Sequence, residues 1–203
     1  MLAALEIPGC DGLEFDLRNS ADRVPVLLHD ADLARVQRVP VPCATLTAGE
    51  LAGHGIPTLK VVLDAVGCDA FLDVELKERV DAAIDLLELE RGHVRDDGTP
   101  ELRSAVVSSF EPDILSWLGE TRPSWSRWLN AYDLSPRTLE VANELGCEAI
   151  SVEWHAIDAD SVGRARDAGL DVGAWTVRDA ATYERLASLG LRAICAEASA
   201  LDG

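Results

Sequence analysis

Two short stretches constrain the fold of this chain more than any others: Gly12-Leu13-Glu14-Phe15-Asp16-Leu17-Arg18 and Phe71-Leu72-Asp73-Val74-Glu75-Leu76-Lys77. In the first, Leu13, Phe15 and Leu17 share one face while Glu14, Asp16 and Arg18 share the other. In the second, Leu72, Val74 and Leu76 oppose Asp73, Glu75 and Lys77 in the same way. Each reads as a strand with one charged face. A half-exposed strand has this pattern too, but in an α/β fold helices cover the apolar face and the charged face points inward. Carboxylates gathered in an interior need a cation.

The remaining chain is long enough for one substantial core: 203 residues, 48% of them apolar. A single globular domain over residues 1–203 is expected. With 18 Lys and Arg against 36 Asp and Glu, the formal charge is -18, which repels phosphate backbones and anionic lipid surfaces at long range. Nucleic-acid and membrane partners are therefore not expected. Cys10, Cys43, Cys68, Cys147 and Cys195 form no paired spacing and mostly adjoin apolar runs. They read as buried free thiols of a reducing, cytoplasmic compartment rather than a disulfide frame or a zinc site. No apolar run is long enough to span a bilayer, and no charged-then-apolar leader precedes the first element.

In chain order, Met1 to Leu5 reads as the end of a helix stopped by Ile7-Pro8-Gly9. The first charged strand follows, then a hairpin excursion through Val24 to Asp30. Residues 31–56 read as an irregular loop with a capping-box pattern from Thr47 to Glu50. Thr58 caps a helix carrying Leu59, Val62, Leu63 and Val66, closed by Gly67, and the second charged strand comes next. Val80, Ile84 and Leu87 mark another helix, and Arg91 to Leu102 reads as a polar connection. Thereafter strands and helices alternate regularly, with Gly followed by Cys or Leu at the junctions: Gly146-Cys147, Gly169-Leu170, Gly190-Leu191. Without the hairpin, the strands are those containing Glu14, Glu75, Ser108, Asn130, Glu153, Trp175 and Cys195. That is one short of a closed (β/α)8 barrel, whose usual size is about 250 residues. The expected fold is an α/β TIM-type barrel, incomplete, with its first strand missing.

Reactive groups in such barrels sit at the C-terminal ends of strands. Glu14, Asp16, Glu75 and Lys77 take such positions, and His29 ends the hairpin strand beside them. Three hard oxygen donors suit Mg²⁺ or Ca²⁺, whereas one histidine without suitably spaced thiols does not suit zinc. From spacing alone, a buried charge network that only sets register fits as well as a metal site.

Six blocks, in order and over nearly the whole chain, resemble the glycerophosphodiester phosphodiesterase family. They are Gly9 to Leu17, Asp22 to Asp30, Ile56-Pro57-Thr58-Leu59, Asp73 to Lys77, Val107-Ser108-Ser109-Phe110 and Ala174-Trp175-Thr176-Val177. The resemblance implies a barrel that hydrolyses small-molecule glycerophosphodiesters to glycerol phosphate and an alcohol with a divalent cation. It implies that Glu14, Asp16 and Glu75 are the metal ligands and that His29 belongs to a catalytic histidine pair. Lys77 falls where the family has a phosphate-contacting lysine, and Trp175 where an aromatic lines the substrate pocket.

The chain departs from the family at both ends. A strand ending His-Arg-Gly and a Glu-Asn-Thr segment precede the family's first helix, with which Met1 to Leu5 aligns, so the partner histidine and a phosphate-binding arginine have no counterpart. His54, His93 and His155 read as incidental. Cys195-Ala196-Glu197 stands in place of a Thr-Asp ending. These departures imply slowed hydrolysis, or in a second reading a catalytically inactive barrel that binds a diester or a protein. A third reading is a relative that cleaves sphingomyelin or lysophospholipids. The unpaired edge of an incomplete barrel adds the expectation of a homodimer.

Overall fold

Gly12 opens the first strand, β1 (Gly12–Asn19), where no side chain fits: a Cβ there would meet the backbone oxygen of Phe71 at 2.1 Å. This close approach lets the two charged strands lie side by side. The computed structural model describes residues 2–197 and 200. The chain divides into two compact units, Met1–Val107 and Ser108–Gly203.

In the first unit, a short 3-10 helix (Leu2–Glu6) with no buried residue leads to β1. That strand turns back into β2 (Pro25–Leu27), antiparallel with Leu17 opposite Leu27 and Asn19 opposite Pro25. Residues 31–56, expected to be irregular, hold the short helices α1 (Ala34–Gln37) and α2 (Ala48–Gly53). They close over a cluster of their own that includes Val26, Leu33, Cys43, Leu51 and Ile56. The capping box forms as the sequence predicts, Thr47 accepting from Glu50 N and the Glu50 side chain accepting from Thr47 N. Thr58 caps α3 (Leu59–Ala65), which delivers the chain to β3 (Phe71–Leu76). β3 runs parallel to β1, with Glu14 beside Asp73 and Asp16 beside Glu75. Leu13, Phe15, Leu17, Leu72, Val74 and Leu76 are buried, as the alternation requires.

After α4 (Asp81–Arg91), the expected polar connection is a hairpin of β4 (Gly92–Val94) and β5 (Pro100–Leu102), reversing through Gly98 at φ 87°. The turn signal Asp97-Gly98 lies in the sequence, but arms of three residues leave no apolar period to read. The fully buried β6 (Ala105–Ser109) follows and carries the division between the units.

The second unit alternates α5 (Pro112–Thr121), β7 (Arg127–Ala131), α6 (Pro136–Glu144), β8 (Ala149–Glu153), α7 (Ala159–Asp167), β9 (Asp171–Val177), α8 (Ala180–Ser188) and β10 (Ala193–Ala196). β7, β8, β9 and β10 pair in that order, all parallel. Leu115, Ile150 and Leu170 are fully buried between helices and sheet, each stabilising the unit by about 1.5–3 kcal/mol.

The junction glycines Gly146, Gly169 and Gly190 have φ of 64°, 79° and 68°, the left-handed conformation that ends a helix. Gly67 does not share it, because Val66 ends α3 in an extended conformation at φ -103°. Arginines staple several junctions. Arg91 donates to Gly67 O, Cys68 O and Ala70 O, Arg127 to Gly146 O, and Arg166 to Leu189 O and Gly190 O. Each guanidinium donates to carbonyls of the turn that follows a helix. None of the five cysteines is in a disulfide, but Cys68 is exposed and Cys10 and Cys195 are only partly covered, so burial holds for Cys43 and Cys147. Among the described residues no helix is long and apolar enough to cross a membrane.

Candidate active site

The charged face of the β1–β3 pair gathers the carboxylates. Asp16 and Glu75 occupy adjacent register positions, and Glu14 lies one repeat earlier on the same face. Carboxylate oxygens of Glu14, Asp16 and Glu75 all fall within 4.8 Å of one another. The ladder with β2 carries β1 on to Asn19, so Glu14 and Asp16 lie inside the strand instead of at its end.

Lys77 follows the end of β3, and its N–H donates to Leu17 O at 3.2 Å, which extends the pairing by a residue. Its Nζ lies 2.8 Å from Asp16 Oδ1 and also binds Glu75 Oε1. His29 is brought to the same place by the hairpin, where Leu28 N donates to Asp16 O at 3.1 Å. Glu14, Phe15, Asp16, Leu27, Leu28 and His29 line one open cleft. Five of the six residues singled out from the sequence thus meet in the first unit.

Charge in this cleft is unbalanced. Removal from water, followed by the negative charges of Asp16, Asp73 and Glu75, pushes the Glu14 carboxyl from 4.5 up to about 9. Glu14 is nonetheless exposed by surface area: it stands among protein atoms in a cleft that is open at its mouth. Burial also raises Glu75, against the opposing effect of Lys77. For Lys77, burial works against the ammonium, but Asp16 and Glu75 outweigh it and the net shift is upward.

The donor set fits a hard divalent ion. Oxygens around one Mg²⁺ or Ca²⁺ at roughly 2.0–2.6 Å lie at most about 5 Å apart, and the 4.8 Å spread of these three falls inside that limit. A positive ion there would also offset the burial and the neighbouring negative charges that together raise the Glu14 carboxyl.

Sequence reasoning missed what holds His29. Its Nδ1 lies 2.7 Å from Asp30 Oδ1, and Arg35 Nε donates to Asp30 Oδ2 at 2.5 Å. Hydrogen bonds from Arg35 and then His29 hold the Asp30 carboxyl down at about 2. Arg18, on the charged face of β1, donates through Nε and Nη2 to His29 O at 3.1 and 3.0 Å. With Nδ1 engaged, Nε2 is the ring nitrogen left to the cleft. The adjacency of His29 and Asp30 was the available signal, and Arg35 offered none.

Trp175 belongs to the second unit. It packs against Phe110 and Tyr132, ring centroids 5.5 and 5.4 Å away, and its Nε1 donates to Ser151 O at 2.9 Å. His155 is also there, Nδ1 2.7 Å from Glu153 Oε1 and its ring stacked on Trp154 at 3.4 Å.

The described architecture is shared with solved proteins. A phosphodiesterase from Oleispira antarctica, in complex with the product sn-glycerol-3-phosphate, superimposes with a TM-score of 0.80 at 23% identity, over 96% of this chain and 83% of that one. A glycerophosphodiester phosphodiesterase from Thermotoga maritima matches with a TM-score of 0.76 at 24% identity, over 96% of this chain and 84% of that one. Another from Agrobacterium tumefaciens gives 0.77 at 21%, over 98% and 88% respectively. No curated protein matches the sequence significantly. The fold is thus the α/β TIM-type barrel expected from the sequence; with the hairpin strand β2 and the β4–β5 pair set aside, seven barrel strands stand among the described residues against eight in the closed form. The model of the Glycerophosphoryl diester phosphodiesterase family matches residues 3–200, and the chain belongs to that family of phosphoric diester hydrolases.

Proposed function

We propose that the cleft of the first unit hydrolyses glycerophosphodiesters to glycerol 3-phosphate and an alcohol with the help of a divalent cation, Mg²⁺ or Ca²⁺. One observation carries this reading: three carboxylates within 4.8 Å of one another, with Lys77 on two of them and His29 lining the same cleft. Glu14, Asp16 and Glu75 would hold the ion. When bound, it supplies positive charge that stabilises the phosphoryl oxygens as negative charge builds on them.

The chain's own groups do the rest. Lys77 neutralises a phosphate oxygen, sharing its charge with Asp16 and Glu75. His29 presents Nε2 for proton transfer, with Asp30 fixing the ring through Nδ1. In the net reaction a water-derived oxygen adds to phosphorus and gives up its proton, the P–O bond to the alcohol breaks, and the leaving oxygen takes up a proton, so that one water is consumed per diester cleaved. Trp175, by its family position, lines the substrate pocket. We read residues 1–203 as one working domain, and the thiols, none of them in a disulfide, as fitting a reducing, cytoplasmic setting.

His29 is the histidine that lines this cleft, and the resemblance calls for a pair. Hydrolysis by these 203 residues alone is therefore slow. The test is divalent-dependent release of glycerol 3-phosphate from glycerophosphocholine, with and without a fused His-Arg-Gly strand. Metal-dependent turnover that rises with the fusion supports the reading. No turnover in either form, despite metal binding, supports the second reading, a family member that binds diesters without cleaving them.

A further inference from the structure

Arg18 is the third charged residue on the face of β1 that carries Glu14 and Asp16, and their chemistry gives it no part. Alternation puts its side chain on the same side as Asp16, one repeat or about 7 Å further along the strand. The base of this side chain is fixed. Arg18 pairs with Val26 on β2, and the next residue, Asn19, donates from its backbone N to Glu78 Oε1 at 2.7 Å and from Nδ2 to Arg79 O at 3.0 Å. From there the half-buried side chain forks onto a single oxygen, with Nε and Nη2 at 3.1 and 3.0 Å from His29 O.

The oxygen it takes belongs to the residue that most needs a tether. The β1–β2 ladder reaches Leu27, and the bond from Leu28 N to Asp16 O extends it by one residue. Directly after that bond comes His29, whose side chain is 61% exposed, so packing does not set its place. Asp30 and Arg35 steady the ring against its own loop. Arg18 instead ties the His29 main chain to the strand that bears Glu14 and Asp16. A charged donor makes a stronger bond than a neutral one, and the planar fork fixes direction as well as distance.

We infer that Arg18 is a positioning residue for proton transfer: it holds the His29 main chain at a set distance from Asp16, so that Nε2 meets a diester bound at the carboxylates. Arg18 acts through His29 and touches no reacting atom. This role rests on the hydrolytic reading above. Misplacing a reacting group by about 1 Å can cost roughly a hundredfold in rate. An arginine that bound substrate equally in ground and transition states would act otherwise, since its loss raises KM and spares kcat.

The experiment compares the parent with Arg18→Met, which keeps the aliphatic stem and removes the fork, and with Arg18→Lys, whose ammonium cannot fork. With metal and glycerophosphocholine, kcat is expected to fall roughly ten- to a hundredfold in Arg18→Met and by less in Arg18→Lys, with KM little changed. Mg²⁺ affinity, read by calorimetry, should stay at the parent's value. Amide exchange of Leu28 in the metal-free proteins should quicken roughly tenfold or more in Arg18→Met, as its bond to Asp16 opens more often. Should Arg18→Met fail to fold, Arg18→Lys carries the same comparison. A kcat equal to the parent's, a raised KM at unchanged kcat, or unaltered Leu28 exchange in the folded variant overturns the inference. Quickened Leu28 exchange in a protein whose parent cleaves no diester sinks the hydrolytic reading and leaves the tether standing. Turnover by the parent that Arg18→Met matches in full, with Leu28 exchange unaltered, sinks the tether alone.

Discussion

Asp16 and Glu75 sit side by side on adjacent parallel strands, with the Lys77 ammonium lying on both. Register makes this pair. A shift of one residue would turn either carboxylate to the opposite face of the sheet, into the helix-covered core. The divalent-ion proposal therefore depends on how β1 and β3 pair as much as on the residues they carry. Asp16→Asn and Glu75→Gln should each weaken divalent binding by more than the roughly 10–100-fold that loss of an outer partner brings. Calorimetry with Mg²⁺ and Ca²⁺, alongside a circular-dichroism check that the variants fold, measures this.

Glu14 supplies a pH signature. Its folded value of about 9 lies above the ordinary 4.5, so between these two pH values the folded chain holds a proton that the unfolded chain has released. The contribution is therefore unfavourable as pH rises: stability from this group falls between about pH 5 and pH 9 and levels off above. Without metal, Glu14→Gln should be more stable than the parent near pH 8, with the difference shrinking towards pH 5. Thermal melts across that range test it. In the parent, divalent binding at neutral pH should release close to one proton, which calorimetry in buffers of different ionisation enthalpy detects.

His29 and Asp30 should separate in kinetics. Removing the imidazole with His29→Ala should lower kcat by roughly 10²–10⁴-fold, the usual worth of a general acid or base. Asp30→Asn should lower kcat by less and leave KM nearly unchanged, since Asp30 positions the ring without touching substrate. A pH–rate profile on the Asp30 variant distinguishes lost orientation from lost folding.

Much of this could be read in advance because alternation is a strong signal where one face of a strand is buried. Leu13, Phe15 and Leu17 against Glu14 and Asp16 specify both face and strand, and caps such as Thr58, Ser135 and Asp179 mark their helices. What stayed hidden has no period. The β4–β5 hairpin is too short and too exposed to pattern, and the helices α1 and α2 are stabilised by Leu33, Leu51 and Ile56 meeting far along the chain. The Asp30–Arg35 contact that steadies His29 depends on how the chain turns after β2, which composition does not encode. Gly67 looked like Gly146, yet Val66 ends its helix differently.

Arg127 carries a structural prediction. It is buried and donates to Pro123 O, Trp125 O and Gly146 O at 3.0–3.2 Å. Arg127→Met should leave those carbonyls unsatisfied and destabilise the protein by about 3 kcal/mol. Chemical denaturation measures it, and the midpoint should fall without a change in slope.

The most direct test is a crystal structure with Mn²⁺ and its anomalous signal, since Mn²⁺ takes the same hard oxygen donors. The account predicts a peak among Glu14, Asp16 and Glu75, at roughly 2.0–2.6 Å from an oxygen of each, with Lys77 moved off at least one carboxylate. A protein that diffracts well with Lys77 still seated on Asp16 and Glu75, and the metal bound elsewhere or not at all, would contradict it.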